Sequence, residues 1–554
     1  MMRRFTRFAV HAALITAGAG LLALSFPSDF SFYGWFPLAF ISLVPLFVAA
    51  NRLGWWSSFL WGGYFGYIAY VFYANWLLNF HPLSIFIIPS IFAFFFFFTM
   101  PAIRLMRHVF PRFGFLFQPF FWVAYEYLHT KGFTGFSYGI VGYTQYLFGP
   151  LVRLSSLTGV WGVSLLVVFP SVLLAWIIND FLDNKADTKQ DSKPFWHFFL
   201  QRRYGISAAV YLLVFISALL YGQSQIIDLE DVPVVKAALV QQNIDPWVGG
   251  APAYEKSLEI LMEQSSLALE EHPETEIVVW SETSFVPSVG FHTRTRINPE
   301  SYRLVDRLME FLAVQKVPYV IGNSDRRLRR NESGQLETYD YNAVLLVENG
   351  EIQETYRKMH LVPFTEHFPY KRQFPWLYQI LVEANTTFWA KGNEYTVFDS
   401  AGMRFSTPVC FEDTFGYLNR GFVQEGAEVL VNLTNDSWAH SVTAAMQHMA
   451  MAVFRAAENQ RSVVRSSNGG MTCVIDPNGK IIDMMEPFEE GYLPVDIPVY
   501  TAGHTGYTRW GNWFGIACVG IAAILLLAVA FRCILRLTED RQQGQNRSEG
   551  QILS

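Results

Sequence analysis

Three short segments of this chain place a reactive polar side chain directly after an apolar, strand-like run. The first is Val278-Val279-Trp280-Ser281-Glu282-Thr283. A carboxylate at the end of a buried strand is partly desolvated, which raises its pKa toward that of a useful base near neutral pH. The second is Tyr356-Arg357-Lys358-Met359-His360, which follows a hairpin strand and opens a long irregular stretch. An ammonium there can hold a developing oxyanion or lower a thiol pKa, and Arg357 and His360 compete for that role. The third, Thr407-Pro408-Val409-Cys410-Phe411-Glu412-Asp413, leads into a helix-like stretch at 417–425. A free thiol has a pKa of about 8.5, and a cysteine at a strand-to-helix turn sits near N–H groups that favour the thiolate. Taken singly, each has a plainer reading: Glu282 as an N-cap or surface carboxylate, Lys358 as a surface lysine, Cys410 as an inert buried thiol. Cys473, between Thr472 and Val474, reads as core filling.

Residues so far apart in sequence need a scaffold to meet. Strand-like runs at 234–240, 276–280, 318–321, 343–347 and 428–433 alternate with helical patterns at 254–271, 302–314 and 443–458. Glu348-Asn349-Gly350-Glu351 and Asp476-Pro477-Asn478-Gly479 carry hairpin-turn chemistry. The pattern predicts a layered α/β domain over 232–500. Within it, 367–391 is unusually apolar, with Phe368, Tyr370, Phe374, Trp376, Leu377 and Phe388 among others. It reads either as a small helix packed on the core or as an arm that dips into a bilayer leaflet.

The rest of the chain has a different solvent. Of 554 residues, 51% are hydrophobic and only 16% charged, where a soluble protein has about a quarter charged. Crossing a bilayer takes about 20 apolar residues. Apolar runs at 8–24, 35–50, 56–78, 85–103, 115–128, 154–178, 204–222 and 513–531 predict about eight spans, of which 115–128 is the shortest. The domains then run 1–228 (seven spans), 232–500 (α/β), 512–536 (the last span) and 537–554 (a polar cytoplasmic tail). Loops predicted for one side hold Arg3, Arg4, Arg7, Arg52, Arg104, Arg107, Arg112, Lys185, Lys189, Lys193, Arg202, Arg203, Arg532 and Arg536. The opposite loops, around 28–33, 79–84 and 129–153, offer only Lys131 and Arg153. By the positive-inside rule the α/β region lies outside the cytoplasm. The first run is then a retained helix rather than a cleaved signal, because its removal breaks this alternation. Glu126, an acid inside a predicted span, reads as a structural pair with nearby His129 or Lys131, or as an interfacial residue.

The net charge of −6 gives no basic footprint for nucleic acid. Four cysteines, at 410, 473, 518 and 533, form neither a disulfide framework nor a zinc pattern, and neither a metal nor an organic cofactor is expected.

The order Glu282, Lys358, Cys410 in an α/β domain resembles the nitrilase (carbon–nitrogen hydrolase) superfamily. With the spans, the chain is similar over nearly its whole length to the bacterial apolipoprotein N-acyltransferases. Lys358 with His360-Leu361-Val362-Pro363-Phe364, Asn435-Asp436-Ser437-Trp438, Arg465-Ser466-Ser467-Asn468-Gly469-Gly470 and Thr505-Gly506-Tyr507-Thr508-Arg509-Trp510-Gly511 carry the likeness.

The resemblance implies an αββα sandwich on the periplasmic side of a multi-pass protein of the bacterial inner membrane. It implies a phospholipid acyl donor, a diacylated apolipoprotein as acceptor, and a ping-pong transfer through a thioester. Cys410 would be nucleophile, Glu282 general base and Lys358 the oxyanion-stabilising cation. Glu366, Glu412 and Trp247 match positions with supporting roles, and Asn435 and Trp438 lie in a matching motif. Two residues depart from the family: Phe411 stands where Tyr is usual, and Thr365 where Gly is common. A tethered amidase, with water as acceptor, would use the same triad. A transporter or receptor with a ligand-binding α/β domain is the reading from another class, and sparse intramembrane charge weighs against it.

Overall fold

Alternation along the strands decides how the α/β region is layered. The computed structural model describes residues 2–80, 84–187, 193–245, 248–330, 334–383, 386 and 388–552. The strands are β1 Val234–Gln241, β2 Ile277–Trp280, β3 Tyr319–Arg330, β4 Leu336–Glu348, β5 Glu351–Arg357, β6 Phe398–Ser400, β7 Met403–Ser406, β8 Val429–Asn435, β9 Ser462–Asn468, β10 Cys473–Ile475, β11 Ile481–Met484 and β12 Gly491–Pro498. They form two six-stranded sheets, ordered β12-β1-β2-β3-β4-β5 and β11-β10-β9-β8-β7-β6. The central strands β1–β3 and β7–β9 are parallel, and antiparallel strands flank them.

Side chains in a strand point alternately to opposite faces. On β1 and β2, Ala237, Leu239, Ile277 and Val279 join the core between the sheets. Their neighbours Ala238, Val240, Val278 and Trp280 pack outward on Leu258, Leu261, Leu304 and Leu308. Those leucines belong to helices Ala251–Glu271 and Pro299–Ala313, the second capped by the Asn298 side chain. The Ser466 hydroxyl reaches the Val240 and Val279 carbonyls, tying the two sheets together. Asn349 and Gly350, at φ 49° and 74°, make the left-handed pair that a two-residue hairpin needs.

Helix Val442–Asn459 covers the second sheet and is buried at every position after its first residue. Its outer face meets other helices instead of water, including Gly149–Thr158. That is why it can be built from Met, Ala, Val and Phe with little polar face.

Among the described residues, five helices are long and apolar enough to cross a bilayer: Phe5–Ser25, Ser84–Val109, Val160–Ala186, Arg202–Ser224 and Trp513–Leu535. The other apolar runs differ in detail from the sequence expectation. The 35–50 run is broken around Pro37 and Pro45 into Phe36–Leu38, Ala39–Ser42 and Val44–Ala50. The 56–78 run forms helix Trp55–Tyr73. The 115–128 run gives helix Gln118–His129, whose 12 residues extend about 18 Å, well short of a hydrocarbon core of about 30 Å. The 154–178 run is split at Gly159 into Gly149–Thr158 and Val160–Asp187.

At one end of this bundle Arg52, Arg107 and Arg203 converge on Asp180 and Asp183. Loops at the other end bind the α/β region: Asp29 accepts from Thr443, Trp76 donates to Gln447, and Asn79 donates to the Ala439 carbonyl. Glu126 is fully buried and pairs with neither His129 nor Lys131. Its Oε1 accepts from the Trp122 indole at 2.9 Å and the Val141 amide at 2.8 Å, so it anchors a bend within the bundle.

Candidate active site

Glu282, Lys358 and Cys410 all lie just beyond strand ends: of β2, β5 and β7. Parallel α/β sheets concentrate ligand sites outside such ends. Glu282 reaches its place because β3 yields to it. A Cβ on Gly322 would stand 2.1 Å from the Ser281 carbonyl oxygen and 2.6 Å from the Thr283 nitrogen, so no larger residue fits beneath this turn.

The carboxylate of Glu282 is nearly saturated. Oε1 accepts from Lys358 Nζ at 3.2 Å and Asn342 Nδ2 at 2.8 Å, and Oε2 from the Asn435 backbone N–H at 3.0 Å. Lys358 is 1% exposed and also bonds Glu366 Oε1 at 2.9 Å. The other Glu366 oxygen accepts from the Val362 amide at 2.8 Å. One ammonium therefore lies between two carboxylates. Burial opposes its charge, yet Glu282 and Glu366 hold its pKa well above the ordinary lysine value. Burial pushes Glu282 up, and Glu366 adds to this against the pull of Lys358. The result is a cation fixed in its charged form beside a carboxylate with raised proton affinity.

Cys410 is half-buried and takes φ 50°, a left-handed conformation that a side chain adopts at a cost of about 1–3 kcal/mol. It opens the 3-10 turn Cys410–Thr414, ahead of helix Gly416–Gln424. The strain is held by Glu412, which is fully buried. Glu412 accepts from the Val409 N–H at 2.7 Å on one side of the cysteine. On the Lys358 side it accepts from the N–H groups of Met359 at 2.7 Å and His360 at 2.8 Å. Tyr356 donates its hydroxyl to the same carboxylate. Glu412 thus staples the cysteine turn to the lysine loop. Burial raises its pKa to about 7, against these donors.

The N–H groups of the turn do not make a thiolate by themselves. Burial pushes the Cys410 thiol well above its ordinary value, Glu282 pushes the same way, and Lys358 opposes both. This corrects the expectation of a thiol ionised by its turn: its proton needs an acceptor, and Glu282 is the carboxylate that acts on it most strongly. Such a set can remove a proton from sulfur, stabilise an oxyanion and carry an acyl group.

The supporting residues differ in kind. Asn435 serves Glu282 through its backbone, while its side chain accepts from the Ser437 N–H and hydroxyl to shape the next turn. Trp438 packs on Trp76 with ring centroids 5.8 Å apart. Phe411 packs its ring against those of Phe136, Phe415 and His360. In the turn that holds Thr365, the left-handed residue is Phe364 at φ 65°. Trp247 lies outside the described residues. Arg357 is pinned to Asp325 at 2.7 Å and His360 bonds the Tyr417 hydroxyl at 2.8 Å, so neither competes with Lys358. The apolar 367–391 segment is anchored near its two ends by buried Phe368 and Trp389, and the helix between them does not pack on the core. Its helix, Pro375–Glu383, has no buried residue among those described, and Phe374, Trp376 and Ile380 are exposed.

Sequence reasoning passed over several residues. Asn342 bridges Glu282 and Glu366, and a polar residue between Tyr341 and Ala343 in a strand was its signal. Beneath the cysteine turn lies a buried tetrad: His448 bonds Asp413 through Nε2 at 2.8 Å and Asp436 through Nδ1 at 3.1 Å, and Arg465 bonds Asp413. A lone histidine in a Met- and Ala-rich helix was the available sign.

The sequence profile of the carbon-nitrogen hydrolase family matches residues 236–507, and that of the apolipoprotein N-acyltransferase N-terminal domain matches 18–173. The chain is 40% identical to apolipoprotein N-acyltransferase 1 of Treponema denticola, over 97% of this chain and 100% of that protein. It is 38% identical to apolipoprotein N-acyltransferase 1 of Treponema pallidum, over 94% and 96%. It is 30% identical to the apolipoprotein N-acyltransferase of Geobacter metallireducens, over 92% and 94%.

Proposed function

The chain belongs to the apolipoprotein N-acyltransferase family, and on that premise we propose that it moves a fatty acyl chain from a phospholipid, through a thioester on Cys410, to the α-amino group of a lipoprotein's N-terminal S-diacylglyceryl-cysteine. In the first half-reaction the Cys410 sulfur attacks the donor's ester carbonyl as Glu282 takes the thiol proton. Lys358 carries the charge of the tetrahedral oxyanion. Collapse breaks the ester C–O bond, and Glu282 returns the proton to the departing lysophospholipid oxygen. In the second half-reaction the acceptor amine attacks the thioester carbonyl, Glu282 takes an amine proton, and the C–S bond breaks to regenerate the thiol. Two easier steps replace one difficult exchange of ester for amide.

Asn342, Glu366 and the Asn435 amide orient the base and the cation, and Glu412 holds the nucleophile's turn. Trp438 and Phe411 supply aromatic walls for substrate, and Trp247 a further substrate contact. The observation that carries this reading is the bond from Lys358 to both Glu282 and Glu366, in a site whose Phe411 packs on Phe136 of the helical region. A donor that cannot leave the bilayer cheaply needs a nucleophile at the bilayer.

The segregation of basic residues supports about eight spans, with the α/β domain on the periplasmic side of the inner membrane. The shorter apolar helices would then span in combination with their neighbours. The boundaries 1–228, 232–500 and 512–536 follow the same reading. The test is a product assay with phospholipid and a diacylated lipopeptide. The reading predicts a triacylated, N-acylated peptide that requires Cys410. Release of free fatty acid with no acylated peptide would refute it in favour of hydrolysis.

A further inference from the structure

Cations around the candidate site are ion-paired, Lys358 with two glutamates, Arg357 with Asp325 and Arg465 with Asp413, while arginines elsewhere, such as half-buried Arg153 and buried Arg461, donate to backbone carbonyls. Half-buried Lys131 and exposed Lys391 have no ion-pair partner among the described residues, and both lie beside the candidate active site. Lys131 Nζ stands 4.2 Å from the Tyr127 ring centroid and 5.8 Å from that of Tyr417. The Tyr417 hydroxyl bonds His360 Nδ1 at 2.8 Å, and the His360 ring packs on Phe415 at 4.1 Å and Phe411 at 5.9 Å. The backbone on either side of Lys391 is fixed beside Lys358: the Ala390 N–H bonds the Asp340 carbonyl, and the Gly392 N–H bonds the Lys358 carbonyl. Burial and the charges of Lys391 and Lys358 hold His360 down to about 4, so it stays neutral in a positive field. Burial likewise lowers Lys131, to about 8.

The position of Lys131 says what anion belongs there. It follows the end of helix Gln118–His129, and Tyr127 packs on Trp161 at 5.3 Å, at the start of helix Val160–Asp187. The Trp161 indole donates to Asn512, which immediately precedes the last apolar helix. Tyr and Trp at helix ends mark the headgroup level of a bilayer, where the abundant anions are lipid phosphates. The loop that carries Lys131 then runs toward the nucleophile. Phe133 meets Phe364, Phe368 and Tyr370, and Phe136 meets Phe411. A charged end followed by an aromatic path to Cys410 complements a molecule with a phosphate at one end and an acyl ester farther in.

We propose that Lys131, aided by Lys391, binds the phosphodiester of the glycerophospholipid acyl donor and thereby sets the donor's ester against Cys410. The proposal rests on the acyl-transfer reading for its substrate class. It adds headgroup selection by charge: phosphodiester lipids are donors, and neutral diacylglycerol with the same chains is a poor one.

The test uses full-length protein in neutral detergent. Binding of a short-chain phosphatidylglycerol is measured by calorimetry for wild type, Lys131→Met, Lys391→Met and Lys131→Arg, beside the matching short-chain diacylglycerol and inorganic phosphate. Loss of one charge-assisted contact should weaken phosphatidylglycerol binding about tenfold in each Met variant, leave diacylglycerol unchanged, and be largely restored by Arg. The donor concentration for half-maximal thioester formation should rise by the same factor, with a smaller change in maximal rate. Equal binding in all variants, or equal loss for diacylglycerol, would overturn the proposal. So would inorganic phosphate binding as tightly with the same lysine dependence, which would assign the site to free phosphate. If no protein forms a thioester from any donor, the acyl-transfer reading fails, and the calorimetry still decides the lysines.

Discussion

Raising the pH should release the clamp beneath the cysteine turn, and the size of the effect follows from its charges. Asp413 and Asp436 carry two negative charges, Arg465 one positive, and the set is neutral only when His448 is an imidazolium. Both carboxylates bond the ring, the Tyr138 ring lies 6.2 Å away, and the ring is 2% exposed. Burial works against the charged ring, but Asp413 and Asp436 prevail and push its pKa up to about 9. An unfolded histidine titrates at about 6.5, and each tenfold in proton affinity is about 1.4 kcal/mol, so the imidazolium contributes about 3 kcal/mol. Because the folded value is the higher one, this stability is complete below about pH 6.5 and disappears as pH rises to about 9. Thermal unfolding in detergent at one scan rate, from pH 6 to 10, should show wild type losing several degrees across that interval. His448→Gln should start lower and lack the step, since it leaves two buried carboxylates to one arginine. Asp413 is in the cysteine turn and Asp436 follows the residue that holds Glu282, so thioester formation should slow over the same interval. Parallel pH profiles for the two proteins would refute the reasoning.

Lys358→Met should slow acylation of Cys410 on the order of 10²–10³-fold, as loss of an oxyanion donor does, and a wild-type rate by intact-mass kinetics would remove it from the mechanism. The same change should also lower thermal stability, because it leaves Glu282 and Glu366 buried without a counter-charge. Glu412→Gln keeps the side chain's shape but sets an amide N–H against at least one of the Val409, Met359 and His360 N–H groups; a loss of about 1–3 kcal/mol in stability and a larger fall in thioester rate are expected from denaturation and mass-spectrometric time courses. Exchanging Phe374, Trp376 and Leu377 for Ser should impair acylation by long-chain phospholipid more than by a short soluble ester, and equal loss on both substrates would argue against a membrane contact for that segment.

That Glu282, Lys358 and Cys410 stand at strand ends was legible in the sequence because each follows a strand whose pattern is local. The hairpin at Asn349-Gly350 and the helix around 443–458 were legible for the same reason. The grouping of Glu282, Lys358 and Cys410 into one site came instead from the resemblance in their order. What was not legible depends on partners far along the chain. That β12 pairs with β1, or that Ser466 ties β1 and β2 to β9, is fixed by packing between elements rather than by periodicity within one. The roles of Glu412 and Asn435 were visible only as motif positions: a stapling carboxylate and a backbone donor appear once the turns are folded. Thiol ionisation was misjudged because a helix-like turn favours a thiolate, while burial and a nearby carboxylate, both products of tertiary structure, outweigh it. The broken 35–50 run shows the same limit, since hydropathy registers its apolar residues and not the breaks around Pro37 and Pro45.

The central claim is that Cys410 carries the acyl group, and intact-protein mass spectrometry after incubation with phospholipid tests it most directly. Wild type should gain one fatty-acyl increment that hydroxylamine removes and that a diacylated lipopeptide discharges onto its amine, while folded Cys410→Ala should gain nothing. An unmodified wild type, or the same increment on Cys410→Ala, would contradict the account.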